Sequence, residues 1–100
     1  MWVDDEPRVT VTRGGKTTPL DLRLDLARLS PSGFEWGFEG PGSAQLALAI
    51  LADFLSGHEE SDSLALRLSG HFQSSVTALL PNAWAAAGWQ IAEYLRIVGL

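Results

Sequence analysis

The sequence predicts an α+β domain in which a three-stranded antiparallel sheet is followed by three α-helices packed on one sheet face. Two observations indicate this: the first third alternates apolar and polar residues, and the remainder carries apolar residues at helical spacing. With 100 residues, 46% of them hydrophobic, the chain has the size and composition of a single globular domain, residues 1–100. Within it we assign residues 1–6 to an acidic flexible end, residues 8–38 to the sheet and residues 43–98 to the helices.

The first two predicted strands form a hairpin. Residues 9–12 alternate between valine and threonine, and the glycine pair 14–15 follows, which suits a two-residue turn with positive φ angles. Such a turn places Val11 opposite Thr18, so the apolar positions of both strands reach the same sheet face. The second strand is expected to continue through residues 20–26, where every second residue is leucine.

The third strand is predicted at residues 34–38, where aromatic residues alternate with glutamate and glycine. All three strands carry polar residues at alternate positions, which is typical of an antiparallel sheet with one face in water. Trp36 points into the core in this arrangement. The other sheet face is apolar and needs a cover, which we expect the helices to supply.

The first helix is predicted to begin at Ser43, whose hydroxyl caps free N–H groups, and to end near Leu55. Its middle is apolar on all sides, which predicts a central, buried helix. The second helix begins at residues 61–63 and ends before Pro81. Its apolar seam consists of Ala65, Leu68, Phe72, Val76 and Leu79. The third helix covers about residues 85–98. Its apolar stripe consists of Ile91, Ala92, Leu95 and Val98.

The chain has a net charge of −5, and the imbalance lies in its middle. Between Leu29 and Leu66 there are six acidic residues and no basic one. The acidic residues are Glu35, Glu39, Asp53, Glu59, Glu60 and Asp62. A surface that follows nucleic-acid phosphates needs clustered lysine and arginine, so this pattern argues against one. It favours the opposite role, in which carboxylates meet a basic groove of another protein.

The residue types and their spacing argue against several kinds of site. The chain has no cysteine, which excludes disulfides and thiolate metal ligands. His58 and His71 lack the four-residue spacing of a helical zinc motif, no serine lies in a G-x-S-x-G elbow, and no lysine follows the glycines near residue 40. We therefore expect no enzymatic activity, no metal and no cofactor.

The start of the chain is acidic, unlike a secretory signal, and the apolar stretch 44–55 is too short to span a bilayer. These features predict a soluble, cytoplasmic protein.

The segment from Phe34 to Leu55 resembles a family signature. It reads Phe-Glu-Trp-Gly-Phe-Glu-Gly-Pro-Gly-Ser and then Ala-Gln-Leu-Ala-Leu-Ala-Ile-Leu-Ala-Asp-Phe-Leu. It is similar to a family of small uncharacterised proteins encoded by phages, plasmids and integrated mobile elements, whose aromatic-x-W-G-Y run and glycine-rich turn precede Q-L-A-L-A-I-L and an acidic residue. The likeness continues through residues 65–81, Trp84 and the last helix. Phe38 and Glu39 replace the usual tyrosine and glycine, and the resemblance implies a genomic setting but no chemistry.

The leading hypothesis is a non-catalytic protein-binding module that inhibits a host defence system, such as a CRISPR effector complex, by competing with nucleic acid for a basic groove. Its expected partner is a host protein or protein complex, with neither nucleic acid nor membrane bound directly. The predicted binding residues are Glu35, Glu39, Glu59, Glu60, Asp62 and the aromatic anchor Trp2. The hypothesis requires that the carboxylates share one face.

Two alternatives remain open. The alternating charges Asp21, Arg23 and Asp25 of the second strand could pair with a second copy, giving a homodimer or larger homo-oligomer through the wet sheet face or an open strand edge. Five basic residues near the start could instead bind nucleic acid weakly. They are Arg8, Arg13, Lys16, Arg23 and Arg28.

Overall fold

The computed structural model of the chain describes residues 9–30, 33–80 and 88–97. These residues form an α+β domain with one two-stranded antiparallel sheet and three α-helices, which confirms the predicted class. The elements are β1 (Thr10–Arg13), β2 (Lys16–Pro19), α1 (Pro41–Phe54), α2 (Ser61–Ser75), a 3-10 turn (Thr77–Leu79) and α3 (Gly88–Ile97).

The hairpin has the predicted register. Val11 lies opposite Thr18, and the glycine pair 14–15 forms the turn with φ angles of +55° and +80°. The ladder continues one pair beyond the strands, because the Leu20 N–H donates to the carbonyl oxygen of Val9 at 2.9 Å. The turn chemistry alone therefore predicts the pairing correctly.

The continuation of the second strand through residues 20–26 is wrong. Arg23 has a φ of +56°, and the chain turns there because the Asp21 carboxylate accepts a hydrogen bond from the Arg23 N–H at 2.9 Å. Leu22 and Leu26 still pack against the core, but they do so from a turn. Leucine at every second position therefore occurs here without forming a strand.

The third predicted strand is also absent from the described residues. Residues 33–40 carry no strand, and the chain bends from Gly37, whose φ is +87°. Phe34 is buried and Trp36 half-buried as the alternation predicts, whereas Phe38 is 52% exposed. Three helices on one face of a three-stranded sheet are therefore not confirmed: in the described residues the sheet has two strands, and α1 packs against α2 and α3.

Helix α1 is the centre of the core. Residues from Leu46 to Ala52 are all buried, as the apolar pattern predicts. The helix begins at Pro41 and not at Ser43, because proline's fixed φ suits the first helical turn. Ser43 lies inside the helix, and its hydroxyl donates to the carbonyl oxygen of Phe38 at 2.5 Å, so the predicted cap is wrong.

Gln45 on α1 holds the loop that follows the hairpin. Its side-chain oxygen accepts hydrogen bonds from the N–H groups of Leu29 (2.8 Å) and Ser30 (3.1 Å). Its side-chain nitrogen donates to the carbonyl oxygens of Leu22 (2.7 Å) and Ala27 (3.1 Å). The glutamine is fully buried, and these four bonds satisfy backbone groups that lack a partner strand.

Helix α2 begins at Ser61 as predicted but ends at Ser75. The 3-10 turn that follows changes the helical period, so Thr77 is buried while Leu79 is 72% exposed, and the predicted place of Leu79 in the apolar seam is wrong. The Thr77 hydroxyl donates to the carbonyl oxygen of Ser43 at 2.9 Å. Since this bond joins the end of α2 to the start of α1, the two helices are antiparallel.

Helix α3 packs through a partly different face from the one predicted. Leu95 is buried and Ile91 half-buried, whereas Ala92 is exposed, and Val98 lies outside the described residues. Tyr94 packs its ring edge-on against Phe72 of α2, with centroids 4.8 Å apart. In the described ranges, no helix combines the length and apolar character needed to cross a membrane.

Candidate functional site

An acidic turn, residues 58–62, joins α1 to α2. The carbonyl oxygen of Leu55 accepts a hydrogen bond from the His58 N–H at 2.8 Å, and the ring nitrogen Nδ1 of His58 accepts one from the Glu60 N–H at 3.1 Å. These bonds hold the turn while the side chains of Glu59 and Glu60 extend into solvent. Among the described residues neither carboxylate forms an ion pair.

Asp62, the third predicted carboxylate of this turn, is partly neutralised. The guanidinium of Arg23 donates to Asp25 through two bonds of 3.0 Å and to Asp62 at 3.3 Å. The Asp62 side chain keeps 56% of its surface exposed. The Arg23 ion pair therefore attaches the loop after the hairpin to the start of α2.

The same arginine makes the stability of the domain sensitive to acid. Hydrogen bonds from Arg23 hold the pKa of the Asp25 carboxyl below its ordinary value, and they raise the pKa of Arg23. The Asp25 carboxylate therefore binds a proton more readily in the unfolded chain than in the folded one. Its contribution to stability is present above the ordinary aspartate pKa and is lost as the pH falls through the lowered value.

We expect Asp25→Asn to flatten the decline in unfolding free energy between roughly pH 5 and pH 2, measured by urea unfolding at each pH. Glu59→Gln, at an exposed carboxylate with no ion pair among the described residues, is the control and should keep the wild-type slope. A wild-type slope in Asp25→Asn would show that the ion pair does not contribute.

The other two predicted carboxylates lie at the opposite end of α1. Glu35 is half-buried and packs against Gly42 in the first turn, and Glu39 is exposed just before the helix. The 14 residues of α1, at a rise of about 1.5 Å each, separate this end from the acidic turn by about 20 Å. Asp53 is bound by Arg13. The single acidic face that the hypothesis required is therefore not assembled.

Exposed apolar side chains accompany Glu39. Phe38 is 52% exposed and Leu79 is 72% exposed. Their segments are adjacent because the Gly37 N–H donates to the carbonyl oxygen of Thr77 at 3.0 Å. We call Phe38, Glu39 and Leu79 the Phe38 patch. Sequence reasoning missed Leu79, since a helix extended to Pro81 places this residue in the core.

A cleft of about 270 Å³ lies beside the hairpin, and sequence reasoning missed it as well. We call it the β1 cleft. Its described lining consists of Val9, Thr10, Val11, Thr12, Arg13, Leu20, Ile50, Asp53, Phe54 and Ile91. At one end the guanidinium of Arg13 binds both carboxylate oxygens of Asp53, at 3.1 and 2.5 Å.

The structure removes the charge ladder that motivated the homodimer hypothesis, which otherwise stays a prediction. Asp21, Arg23 and Asp25 lie in a turn and not along a strand, so they do not form a charge ladder. Of the basic residues considered for nucleic acid, Arg13 and Arg23 are engaged in ion pairs within the chain. Trp2, Arg8 and Trp84 lie outside the described residues.

The histidines take part in local hydrogen bonds. His71 Nδ1 lies 2.7 Å from the Tyr94 hydroxyl, and burial raises the pKa of Tyr94 above its ordinary value. In the part of the chain that the structure describes, no group of three or more His, Asp or Glu side chains is placed to hold a metal ion. Every buried side-chain nitrogen or oxygen there has a hydrogen-bond partner.

No curated protein and no solved structure is significantly similar to the chain. Residues 4–97 match a protein family whose members have no assigned activity, which agrees with the expected resemblance to small uncharacterised proteins. Since the match spans nearly the whole sequence, the chain belongs to the family of unknown function DUF6166.

Proposed function

We propose that this chain is a non-catalytic protein-binding domain encoded by a mobile element, and that it inhibits a host defence protein by occupying a basic groove that otherwise holds nucleic acid. The observation that carries the proposal is the acidic turn, where Glu59 and Glu60 present carboxylates with no ion pair among the described residues. Arginine and lysine that bind phosphates bind carboxylates by the same charge-assisted hydrogen bonds.

The proposed contact is limited to the end of the α1–α2 pair that carries the acidic turn. Glu59 and Glu60 are adjacent, and Asp62 follows with its charge shared with Arg23. In the unbound chain the acidic turn is already held by hydrogen bonds to its backbone N–H groups. Binding would therefore cost little conformational entropy. Opposite charges on the partner would also raise the association rate at low ionic strength.

The Phe38 patch supports a protein partner over a simple polycation. Exposed aromatic residues such as Phe38 are enriched at protein interfaces, and the exposed Leu79 lies on an adjacent segment. Because the patch lies about 20 Å from the acidic turn, it would contact a second region of the partner.

The proposal is tested with a guide-loaded CRISPR effector complex, titrated with the chain at increasing salt by biolayer interferometry. We expect binding that weakens with salt and is displaced by target DNA. Glu59→Gln with Glu60→Gln should reduce affinity by about tenfold or more, since close interfacial charge pairs contribute roughly 1.5 kcal/mol or above.

Glu35→Gln with Glu39→Gln is the comparison, because it removes the same charge from the other end of α1. A smaller loss is expected there, because the proposed contact of the Phe38 patch is made by its apolar side chains and not by the Glu39 carboxylate. Equal losses in both double variants would indicate a long-range charge effect and contradict a contact at the acidic turn. Absence of binding to the effector complex would contradict this choice of host target.

A further inference from the structure

The outer edge of β1 carries backbone groups that point away from β2. Arg13 and Lys16 flank a two-residue turn, which makes them a hydrogen-bonded pair of the ladder, and the bond from the Leu20 N–H to the Val9 carbonyl oxygen fits the same alternation. Paired and outward positions alternate along an antiparallel strand, so the N–H and C=O groups of Thr10 and Thr12 face outward. Within the described ranges these groups have no hydrogen-bond partner.

The two edges of the hairpin differ. On β2 the outward positions are Thr17 and Pro19, and proline has no N–H to donate. On β1 all four outward N–H and C=O groups are available, and every residue from Val9 to Arg13 lines the β1 cleft. The free edge and the cleft therefore form one feature, with the open side of the hairpin as one wall.

The opposite wall is apolar. Ile50 and Phe54 come from α1 and Ile91 from α3. A cavity of about 150 Å³ holds a benzene molecule, so roughly 270 Å³ is enough for two medium-sized apolar side chains. A strand paired with β1 would direct alternate side chains into this space, since successive side chains of a strand point to opposite faces.

The charge of the lining restricts the occupant. Arg13 and Asp53 are its charged residues in the described part of the chain, and each neutralises the other. An uncharged segment therefore fits this lining better than a charged one, which would find no free opposite charge among the described lining residues. A segment of another protein supplies a single strand, which matches the single strand edge that borders the cleft.

We infer that the β1 cleft binds one extended, uncharged peptide segment of another protein, which adds a third strand to the hairpin and inserts alternate apolar side chains between β1 and the helices. The inference goes beyond the proposed function, because the acidic turn takes no part in it.

The probe is a phage-displayed library of random dodecapeptides panned on the full chain, followed by fluorescence anisotropy with a synthetic copy of the enriched peptide. We expect enrichment of uncharged peptides with apolar residues at alternate positions. Thr12→Pro removes an outward N–H of β1, and Thr17→Pro removes one of β2. The two residues are direct partners whose hydroxyls lie 2.8 Å apart, so both substitutions should disturb the hairpin equally.

Thr12→Pro is expected to weaken the enriched peptide at least tenfold, and Thr17→Pro less than twofold. If Thr12→Pro does not fold, hydrogen exchange of the wild-type chain tests the inference. Bound peptide should slow exchange at the amides of Thr10 and Thr12 and leave the exchange rate at Thr17 unchanged. Failure to enrich any peptide, equal effects of the two prolines, or unchanged exchange at Thr10 and Thr12 would overturn the inference. Glu59→Gln with Glu60→Gln should leave peptide affinity unchanged, which separates this result from the fate of the proposed function.

Discussion

Replacing Gln45 by methionine is expected to lower the free energy of unfolding by about 4 kcal/mol. Methionine keeps the volume of the side chain but removes the hydrogen bonds that Gln45 makes to two backbone N–H groups and two carbonyl oxygens of residues 22–30. Each unsatisfied buried group costs roughly 1–3 kcal/mol, reduced where the loop can open to water. A domain of this size has a free energy of unfolding of roughly 5–15 kcal/mol, so the variant should keep only a small part of its stability.

Urea unfolding followed by circular dichroism measures the effect, and Gln73→Met is the matched control. Gln73 is half-buried, and its side chain makes one hydrogen bond among the described residues, from its nitrogen to the Gly40 carbonyl oxygen at 3.0 Å. Its loss should cost about 1 kcal/mol. Hydrogen exchange at the amides of Leu29 and Ser30 should accelerate in the Gln45 variant alone. Equal losses of stability in the two variants would contradict the role assigned to Gln45.

Gly42→Ala is expected to lower the free energy of unfolding by about 1–3 kcal/mol, which is the typical cost of forcing an extra carbon into a packed site. A Cβ atom at this position would lie 2.5 Å from the Cβ and 2.6 Å from the Cγ of Glu35. The Cβ of Glu35 cannot swing aside as the end of a flexible chain can, so the backbone before α1 has to move. The gain in helix propensity offsets only part of this cost.

Gly70→Ala in α2 is the matched control, measured by the same urea unfolding experiment. A Cβ atom at residue 70 would meet no atom within 4 Å. Alanine should therefore stabilise the domain by about 0.4–1 kcal/mol. A stabilised Gly42→Ala would show that Glu35 yields without cost. In that case the close packing at the start of α1 does not constrain the position.

The parts of the fold that short-range chemistry determines could be predicted. The hairpin register follows from the glycine pair 14–15, since a two-residue turn leaves one pairing. The burial of α1 follows from its apolar residues on all sides. Neither feature depends on residues distant in the sequence.

The second and third strands could not be predicted correctly from alternation. Leucine at every second position also suits a turn whose leucines reach the core from both sides of Arg23. What distinguishes the two is the bond between Asp21 and the Arg23 N–H together with the loop's attachment to Gln45. The partners of Gln45 are backbone groups, and no side-chain pattern encodes them.

The arrangement of the candidate carboxylates could be predicted only where they are neighbours along the chain. Glu59, Glu60 and Asp62 are neighbours along the chain and stay together in the turn. Glu35 and Glu39 belong to the same base-free stretch, yet a whole buried helix lies between the two groups. A run of like charge predicts one surface only when no long element interrupts it.

The enclosure of α1 separates what the domain has to keep from what it can vary. A change within this helix alters packed volume and costs several kcal/mol, whereas an exchange on an exposed turn such as residues 58–62 typically changes stability by less than about 0.5 kcal/mol. Successive substitutions on the outer turns can therefore accumulate without any compensating mutation in the interior. The sequence of the exposed turns and the maintenance of the fold are thus largely independent.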